Sequence, residues 1–321
     1  MIWRGRPWMA LLPLVLGLLA WWLWWDHAAG QWQAGLEAAL GERPRVIGFP
    51  YRLQADVGPL SLARAHGGAG FEARAATVSV ERAFGRPWPH VFAAQQLVLR
   101  ADAAAPAQLT LGMEAERARG SLDLGAGRLD RLSLELADAR LALGWLRRSV
   151  LAPEAEIHLR QAPGAPPPAD GRPGPVAELV VSSPAAQVGA QGAPLTLSLR
   201  ATLIQRGALT SVRDWAEHGG ALRIDELVLA DSTGPVLRLS GSVAPGPGGA
   251  LALAAAITTP CPATVLAAFA GRMPAPEYRR RVPVSIALAG APGRPTATPS
   301  AEALAARPVK AQEPPCPRLA G

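Results

Sequence analysis

The chain has 321 residues, enough for one large domain or two ordinary ones, and carries a formal net charge of +7. Its arginines are scattered among acidic residues, and Arg279–Arg281 form the single dense run. This distribution argues against nucleic acid as a partner, since nucleic-acid-binding proteins concentrate basic residues on one face. The chain contains no asparagine and hence no N-glycosylation acceptor, which favours a bacterial envelope protein over a eukaryotic secreted one.

The first predicted element is a single-pass membrane anchor over residues 7–25, which carry no charge. A helix of this length spans roughly 28 Å, close to the hydrocarbon thickness of a bilayer. Arg4 and Arg6 precede it, so the positive-inside rule leaves residues 1–6 in the cytoplasm and sends the rest of the chain across the inner membrane into the periplasm. Tryptophans near both ends form the expected aromatic belts: Trp3, Trp8, Trp21, Trp22, Trp24 and Trp25.

A cleavable signal peptide is the alternative interpretation of this segment. Residues 28–30 offer a weak cleavage site, but bulky tryptophans occupy the positions where small residues should precede cleavage. We therefore expect an uncleaved anchor, and either interpretation exports the remaining chain.

A short juxtamembrane helix is predicted over residues 26–41, where Trp32, Leu36 and Leu40 recur at four-residue spacing and Gly41 is a natural stop. From residue 45 to 289 the apolar period changes to two, as in the run from Leu195 to Leu203. Short alternating runs separated by Gly, Pro and Asp predict roughly a dozen antiparallel strands.

The fold class is therefore mainly β: a transmembrane helix followed by a large antiparallel sheet, shaped as a curved groove, a sandwich or an open barrel. Few helices are expected, and Leu209–His218 and Pro262–Gly271 are the candidates. Residues 163–175 predict a proline-rich loop inside the β-rich domain. Residues 290–321 predict a disordered tail rich in proline and alanine.

A sheet with one apolar face must cover that face, and two or three short helices are too few to cover a dozen strands. The sheet either folds on itself or forms an open apolar groove that meets lipid. If the groove exists, its lipid-facing candidates are Leu195, Leu197, Leu199, Leu237, Leu239, Leu251 and Leu253, although core packing is the commoner role for such residues.

The two cysteines, Cys261 and Cys316, each lie in the tripeptide Pro-Cys-Pro. In an oxidising compartment a disulfide between them would tie the tail to the domain, and two free thiols in flexible segments are the alternative. Without neighbouring histidines the pair does not predict a zinc site.

No catalytic pattern is present in the sequence. The five histidines are far apart and lack metal-ligand spacing: His27, His66, His90, His158 and His218. His218-Gly219-Gly220 is similar to the oxyanion loop of esterases, but the sequence has no G-x-S-x-G nucleophile elbow to pair with it, so it predicts a turn. The glycine-rich residues 246–249 lie between two predicted strands and predict a hairpin loop. We expect no enzyme activity, no catalytic or metal-binding residue and no cofactor.

Residues 48–53 read GFPYRL, and together with the anchor and short helix before them they resemble a domain-of-unknown-function family, numbered 2125, of Gram-negative bacteria. The segment Leu222–Thr258 is similar to the closing β-meander of that family. The proline-rich insertion and the tail depart from its pattern. The family has no established activity, so the resemblance implies topology. A more distant, fold-level similarity is to AsmA-like envelope proteins, whose long β-grooves help move phospholipid towards the outer membrane.

The functional expectation is a non-enzymatic, membrane-anchored envelope protein that binds or conveys phospholipid along an apolar β-face. The alternative is a structural or assembly factor that binds an envelope protein partner in the periplasm.

Overall fold

The protein is described from a computed structural model, which covers residues 12–66, 69–83, 90–103, 109–125, 128–143, 149–161, 173–189, 191–206, 215, 220–246, 250–292, 295–301 and 313–319. Within these residues fourteen strands form one sheet. They are β1 Arg45–Ile47, β2 Arg52–His66, β3 Ala69–Ala83, β4 His90–Ala103, β5 Leu109–Gly125, β6 Arg128–Leu143, β7 Val150–Gln161, β8 Gly174–Val188, β9 Leu195–Gln205, β10 Ala221–Asp231, β11 Gly234–Pro245, β12 Leu251–Thr259, β13 Val284–Gly290 and β14 Thr296–Pro299.

The strands follow one another in chain order, and every neighbouring pair is antiparallel. β1 and β14 form the two edges, so the sheet is open. This arrangement confirms the mainly β prediction, and it selects a single curved sheet over a sandwich of two sheets.

The N-terminal helix α1, Leu12–Leu40, is continuous where the sequence predicts an anchor and a separate short helix. Its backbone stays helical through Asp26, where the sequence predicts a boundary. It ends where Gly41 adopts a φ of +82° and donates its N–H to the Glu37 carbonyl. Of the predicted span, residues 7–11 lie outside the described residues, as do residues 1–6. Within the described part of the chain, no helix combines the length and apolar character needed to cross a bilayer.

The second helix, α2, Pro262–Phe269, confirms the helix predicted from Pro262. The helix predicted over Leu209–His218 lies outside the described residues except for Trp215. The proline-rich loop does so too over residues 163–172, whereas residues 174–175 already belong to β8. The tail is ordered in two segments, which differs from the expected disorder: residues 296–299 pair with β13, and residues 313–319 pack on the domain through Cys316 and the buried Leu319.

The apolar pattern slips by one residue at the same level of seven consecutive strands. In β4, for example, Ala94 and Leu97 point inwards and the two residues between them point outwards. One outward residue of each pair lies in a continuous row across the sheet, here called the crease row: Pro59, Ala76, Gln96, Glu116, Asp138, Pro153 and Ala185. Gln96 and Asp138 have positive φ angles of 52° and 51°, as at β-bulges.

An extra outward residue lengthens the polar side of each strand, so the sheet bends towards its apolar face. The burial pattern agrees: apolar residues beside the crease row are buried, and those nearer the strand ends are half-buried or exposed. Each strand thereby folds its own two halves towards one another. We call the folded apolar face of β2–β8 the trough.

A close approach between β11 and β12 requires a glycine at position 241. A Cβ atom there would lie 2.5 Å from Ala255 Cα, and backbone atoms cannot move aside as a flexible side chain can. We expect Gly241→Ala to lower the free energy of unfolding by about 2 kcal/mol, as overpacking does. Gly112→Ala is the matched control, because its Cβ would meet Ala142 Cβ at an ordinary 3.5 Å. Equal denaturation midpoints for the two variants would contradict this packing.

Candidate functional site

The floor of the trough is lined mainly by alanine. One core cluster, contributed by β3–β7 alone, contains Ala75, Ala94, Leu97, Met113, Ala115, Ala118, Leu134, Leu136, Ala139, Ala152 and Ala155. Small side chains allow the two halves of each strand to approach closely at the crease. All these residues lie on the same face of one sheet, and among the described residues no helix joins the cluster, so the two halves of that face pack on each other.

One rim of the trough exposes an apolar patch. Phe71 on β3 is opposite Ala101 on β4, which in turn is opposite Leu111 on β5. Side chains opposite one another on antiparallel strands have Cβ atoms about 5 Å apart, so the three form a contiguous surface. Phe71 is 42% exposed and Leu111 is 37% exposed. The trough is thus closed at its floor and apolar where it opens.

Helix α1 covers the first end of the trough. Trp25, Ala29 and Trp32 pack on Leu53 and Ala55 of β2. The Trp25 indole N–H donates a hydrogen bond to the Arg52 carbonyl over 3.2 Å. The N-terminal part of the same helix leaves its large apolar side chains exposed: Leu14, Val15, Leu16, Leu18, Leu19, Trp22, Leu23 and Trp24. The N-terminal part of α1 is therefore apolar and exposed, and its C-terminal part packs on the first end of the trough.

A stack of three side chains fastens α1 to the sheet. The Arg82 guanidinium lies 5.2 Å from the centre of the Trp32 ring, and His90 stacks on Trp32 with the ring centres 6.2 Å apart. Burial lowers the pKa of Arg82. Burial also lowers the pKa of His90, and the charge of Arg82 lowers it further. His90 is consequently neutral at pH 7, which leaves Arg82 as the cation on the indole.

The opposite end of the sheet is closed by α2 and the tail. Val265 of α2 and Leu319 of the tail join a core cluster with Ile257 and Ile286 of the sheet. The Glu277 carboxylate accepts hydrogen bonds from the first backbone N–H groups of α2, at 3.1 and 2.8 Å. A disulfide joins Cys261 to Cys316, which is the first of the two alternatives that the sequence leaves open for these residues.

A buried ion pair holds the segment after α2 to the β10–β11 turn. Arg279 donates hydrogen bonds to the Asp231 carboxylate at 2.6 Å and to the Pro235 carbonyl at 2.9 Å. Burial alone would raise the pKa of Asp231, but hydrogen bonds from Thr233 and the hydrogen bond and charge of Arg279 together lower it. Asp231 is therefore ionised at neutral pH and anchors the cover of this end.

The predicted lipid-facing leucines lie mostly at this covered end. Leu195, Leu237 and Leu239 are buried in the cluster under α2, and Leu197 and Leu253 pack against it half-buried. Leu199 and Leu251 are half-buried on the same face. In this structure the exposed part of the apolar face is instead the Phe71–Leu111 rim, about six strands away from the β10–β11 hairpin.

A groove of about 1060 Å³ crosses eight strands, from β2 to β9. For each inward residue in its wall, such as Ala118, the wall includes the outward residues on both sides, here Arg117 and Arg119. The next inward residues along the strand, such as Gly120, are absent from it. The groove therefore lies on the polar face, behind the trough, and we call it the outer groove.

The outer groove carries charged side chains on three neighbouring strands, with Arg119 directly opposite Glu135. Arg117 and Arg119 lie on β5, whereas Glu135 lies on β6 and Glu154 and Glu156 on β7. Arg117, Arg119 and Glu135 form no ion pair with another residue of the described chain, and Glu156 approaches His158 at 3.5 Å. In the part of the chain that the structure describes, no cluster of three or more His, Cys, Asp or Glu residues is suited to a metal ion.

The rim and the outer groove were not predicted from the sequence. The signal for the bend that forms the trough was present, since the apolar period slips by one residue within each strand, as between Ala94 and Leu97. Only the pairing of neighbouring strands shows that those slips lie in one row across the sheet. Comparison of the chain with family models, with curated proteins and with solved structures finds no match. The resemblance to family 2125 therefore stays a prediction.

Proposed function

We propose that the protein is a non-enzymatic bacterial envelope protein, held at the inner membrane by its N-terminal helix, that binds the acyl chains of phospholipids along the trough. The observation that carries the proposal is the apolar face itself. Over β3–β7 it folds on itself, its rim exposes Phe71 and Leu111, and its first end is continuous with an exposed apolar helix.

Membrane attachment is supported by the surface of α1. Eight large apolar side chains between Leu14 and Trp24 are exposed, and at 100° per residue they point to all sides of the helix. A helix that is apolar all round needs an apolar environment on every side, which a bilayer provides. The absence of charge from residues 7–25 supports the same location, with the sheet in the periplasm.

Acyl binding is supported by the shape and chemistry of the trough. Its floor is closed by alanine side chains and its rim carries larger apolar side chains that are exposed, so an extended hydrocarbon chain would lie along the rim, against Phe71 and Leu111. Each methylene transferred from water to such a surface contributes about 0.8 kcal/mol. β3 to β8 span five strand spacings, about 24 Å, over which several methylenes can be buried at once.

The test is native mass spectrometry with lipid extraction on the full chain, purified in detergent from bacterial membranes. We expect phospholipid to co-purify with the wild type and to be lost from Leu111→Glu, because a carboxylate at the rim disfavours hydrocarbon. Thr110→Glu is the matched control, since the adjacent Thr110 is exposed on the opposite face. It should retain lipid.

Equal lipid in both variants would contradict binding at the rim. A lipid-free wild type would contradict lipid handling altogether and would favour the alternative, an assembly factor. The outer groove, with Arg117, Arg119 and Glu135 in its wall, is the surface where crosslinking should then locate an envelope protein partner.

A further inference from the structure

A tight turn before β2 presents two aromatic side chains to solvent. Gly48 adopts a φ of +106°, and the Arg52 N–H donates a hydrogen bond to its carbonyl over 3.1 Å. A Cβ atom on residue 48 would lie 2.8 Å from the Arg52 carbonyl oxygen, so this turn needs glycine. The closed turn holds Phe49, Pro50 and Tyr51 in a fixed projection, here called the aromatic tip.

The aromatic tip has no role in the core. Tyr51 is 81% exposed and Phe49 is 44% exposed, and neither belongs to a core cluster. Within the described residues, Phe49 contacts one other aromatic ring, that of Trp25 of α1, edge-to-face with ring centres 5.6 Å apart. The surface that these two side chains leave in water contributes no hydrophobic free energy to folding.

The contact with Trp25 fixes the level of the aromatic tip along α1. Trp25 is the last residue of the predicted span, and Trp22 and Trp24 beside it are exposed. The tip therefore lies where the apolar part of α1 ends. Trp and Tyr are favoured at this level of a membrane, because the interface accommodates an apolar ring with a polar edge.

We propose that the aromatic tip is a second membrane contact, with Phe49 and Tyr51 inserted among the lipid headgroups of the bilayer that holds α1. The inference rests on the proposed membrane attachment. It adds that the sheet is docked at the bilayer surface, with the first strands of the trough against the headgroups. A lipid leaving the bilayer then reaches the apolar face without crossing bulk water.

The test uses the full chain in vesicles of phosphatidylethanolamine and phosphatidylglycerol that contain nitroxide-labelled lipid. A polarity-sensitive fluorophore is attached to Tyr51→Cys, and the Cys261–Cys316 disulfide leaves no other thiol to label. Leu18→Cys reports the anchor. Ser198→Cys is the control on an exposed site of β9, about 34 Å from β2 at the strand spacing of a sheet.

We expect a blue shift and loss of emission at positions 51 and 18, and neither at 198. Quenching at 18 without quenching at 51 would overturn the aromatic tip while leaving the anchor intact. Quenching at none of the three would overturn the membrane attachment and the tip with it. Equal quenching at 51 and 198 would overturn the specific contact, because the whole sheet would then lie in lipid.

Discussion

Replacing Leu136 with aspartate is expected to lower the free energy of unfolding by more than about 4 kcal/mol, which places it among the most damaging single substitutions. Leu136 is 3% exposed and lies on the floor of the trough, opposite Ala118 and Ala155 on the neighbouring strands. Its alanine neighbours offer no hydrogen bond to a carboxylate, and an unpaired buried charge costs several kcal/mol. Urea denaturation followed by tryptophan fluorescence measures the loss.

Ala137→Asp is the matched control, one residue further along the same strand. Ala137 points to the polar face and is opposite Arg117 of β5 and Glu154 of β7. A carboxylate there stays hydrated and lies between a cation and an anion, whose effects oppose each other, so the expected change is within about 0.5 kcal/mol. If both variants lost the same stability, the inward and outward faces of β6 would be assigned wrongly, and the trough with them.

Removing the disulfide by Cys261→Ala and Cys316→Ala is expected to lower the free energy of unfolding by about 4 kcal/mol. The two residues are 55 positions apart, and the chain-entropy model gives this magnitude for a loop of that size. Loss of the bond also releases residues 313–319 from the end of the sheet. Because Leu319 is buried there, its departure exposes the apolar cluster beneath. Chemical denaturation of the oxidised wild type and the variant measures the first effect.

Limited trypsin cleavage after Arg318 measures the second effect. In the oxidised protein the Arg318 carbonyl accepts a hydrogen bond from the Ala193 N–H over 2.9 Å, which holds the cleavage site against the domain. Cleavage should be faster in the double variant and in wild type treated with a reductant. Unchanged stability and cleavage would mean that noncovalent contacts alone hold the tail.

The alternation of apolar residues predicts most of the sheet, because one wet face and one buried face impose a period of two. It does not reveal the trough. The slips beside Ala94, Ala118 and Leu136 look like separate irregularities until register places them in one row. Sequence order also does not show that the two arms of one strand bury each other, so neither the bend nor its direction follows from the period.

The candidate leucines show a second limit. Alternation correctly places Leu195 and Leu237 on the apolar face, but it says nothing about what covers each part of that face. The cover comes from α2 and from the tail, a segment whose composition predicts disorder. A disulfide, the buried Leu319 and backbone hydrogen bonds to the domain hold residues 313–319 in place, and none of these is visible in local propensity. Tyr51 belongs to the GFPYRL segment on which the family resemblance rests, whereas only the structure shows that its side chain is exposed.

Each of the fourteen strands pairs only with the strands before and after it in the chain. The sheet is therefore a linear array of hairpins, in which the number of strands can change while the two ends stay the same. Excising one complete hairpin would shorten the array by about 10 Å and preserve the antiparallel alternation, and duplicating one would lengthen it equally. For a hairpin taken from β5–β8, the contacts of α1 with β2–β4 and of α2 with β9–β13 would stay in place. In such a protein the number of residues sets the distance between the α1 and α2 ends of the sheet, in increments of two strands.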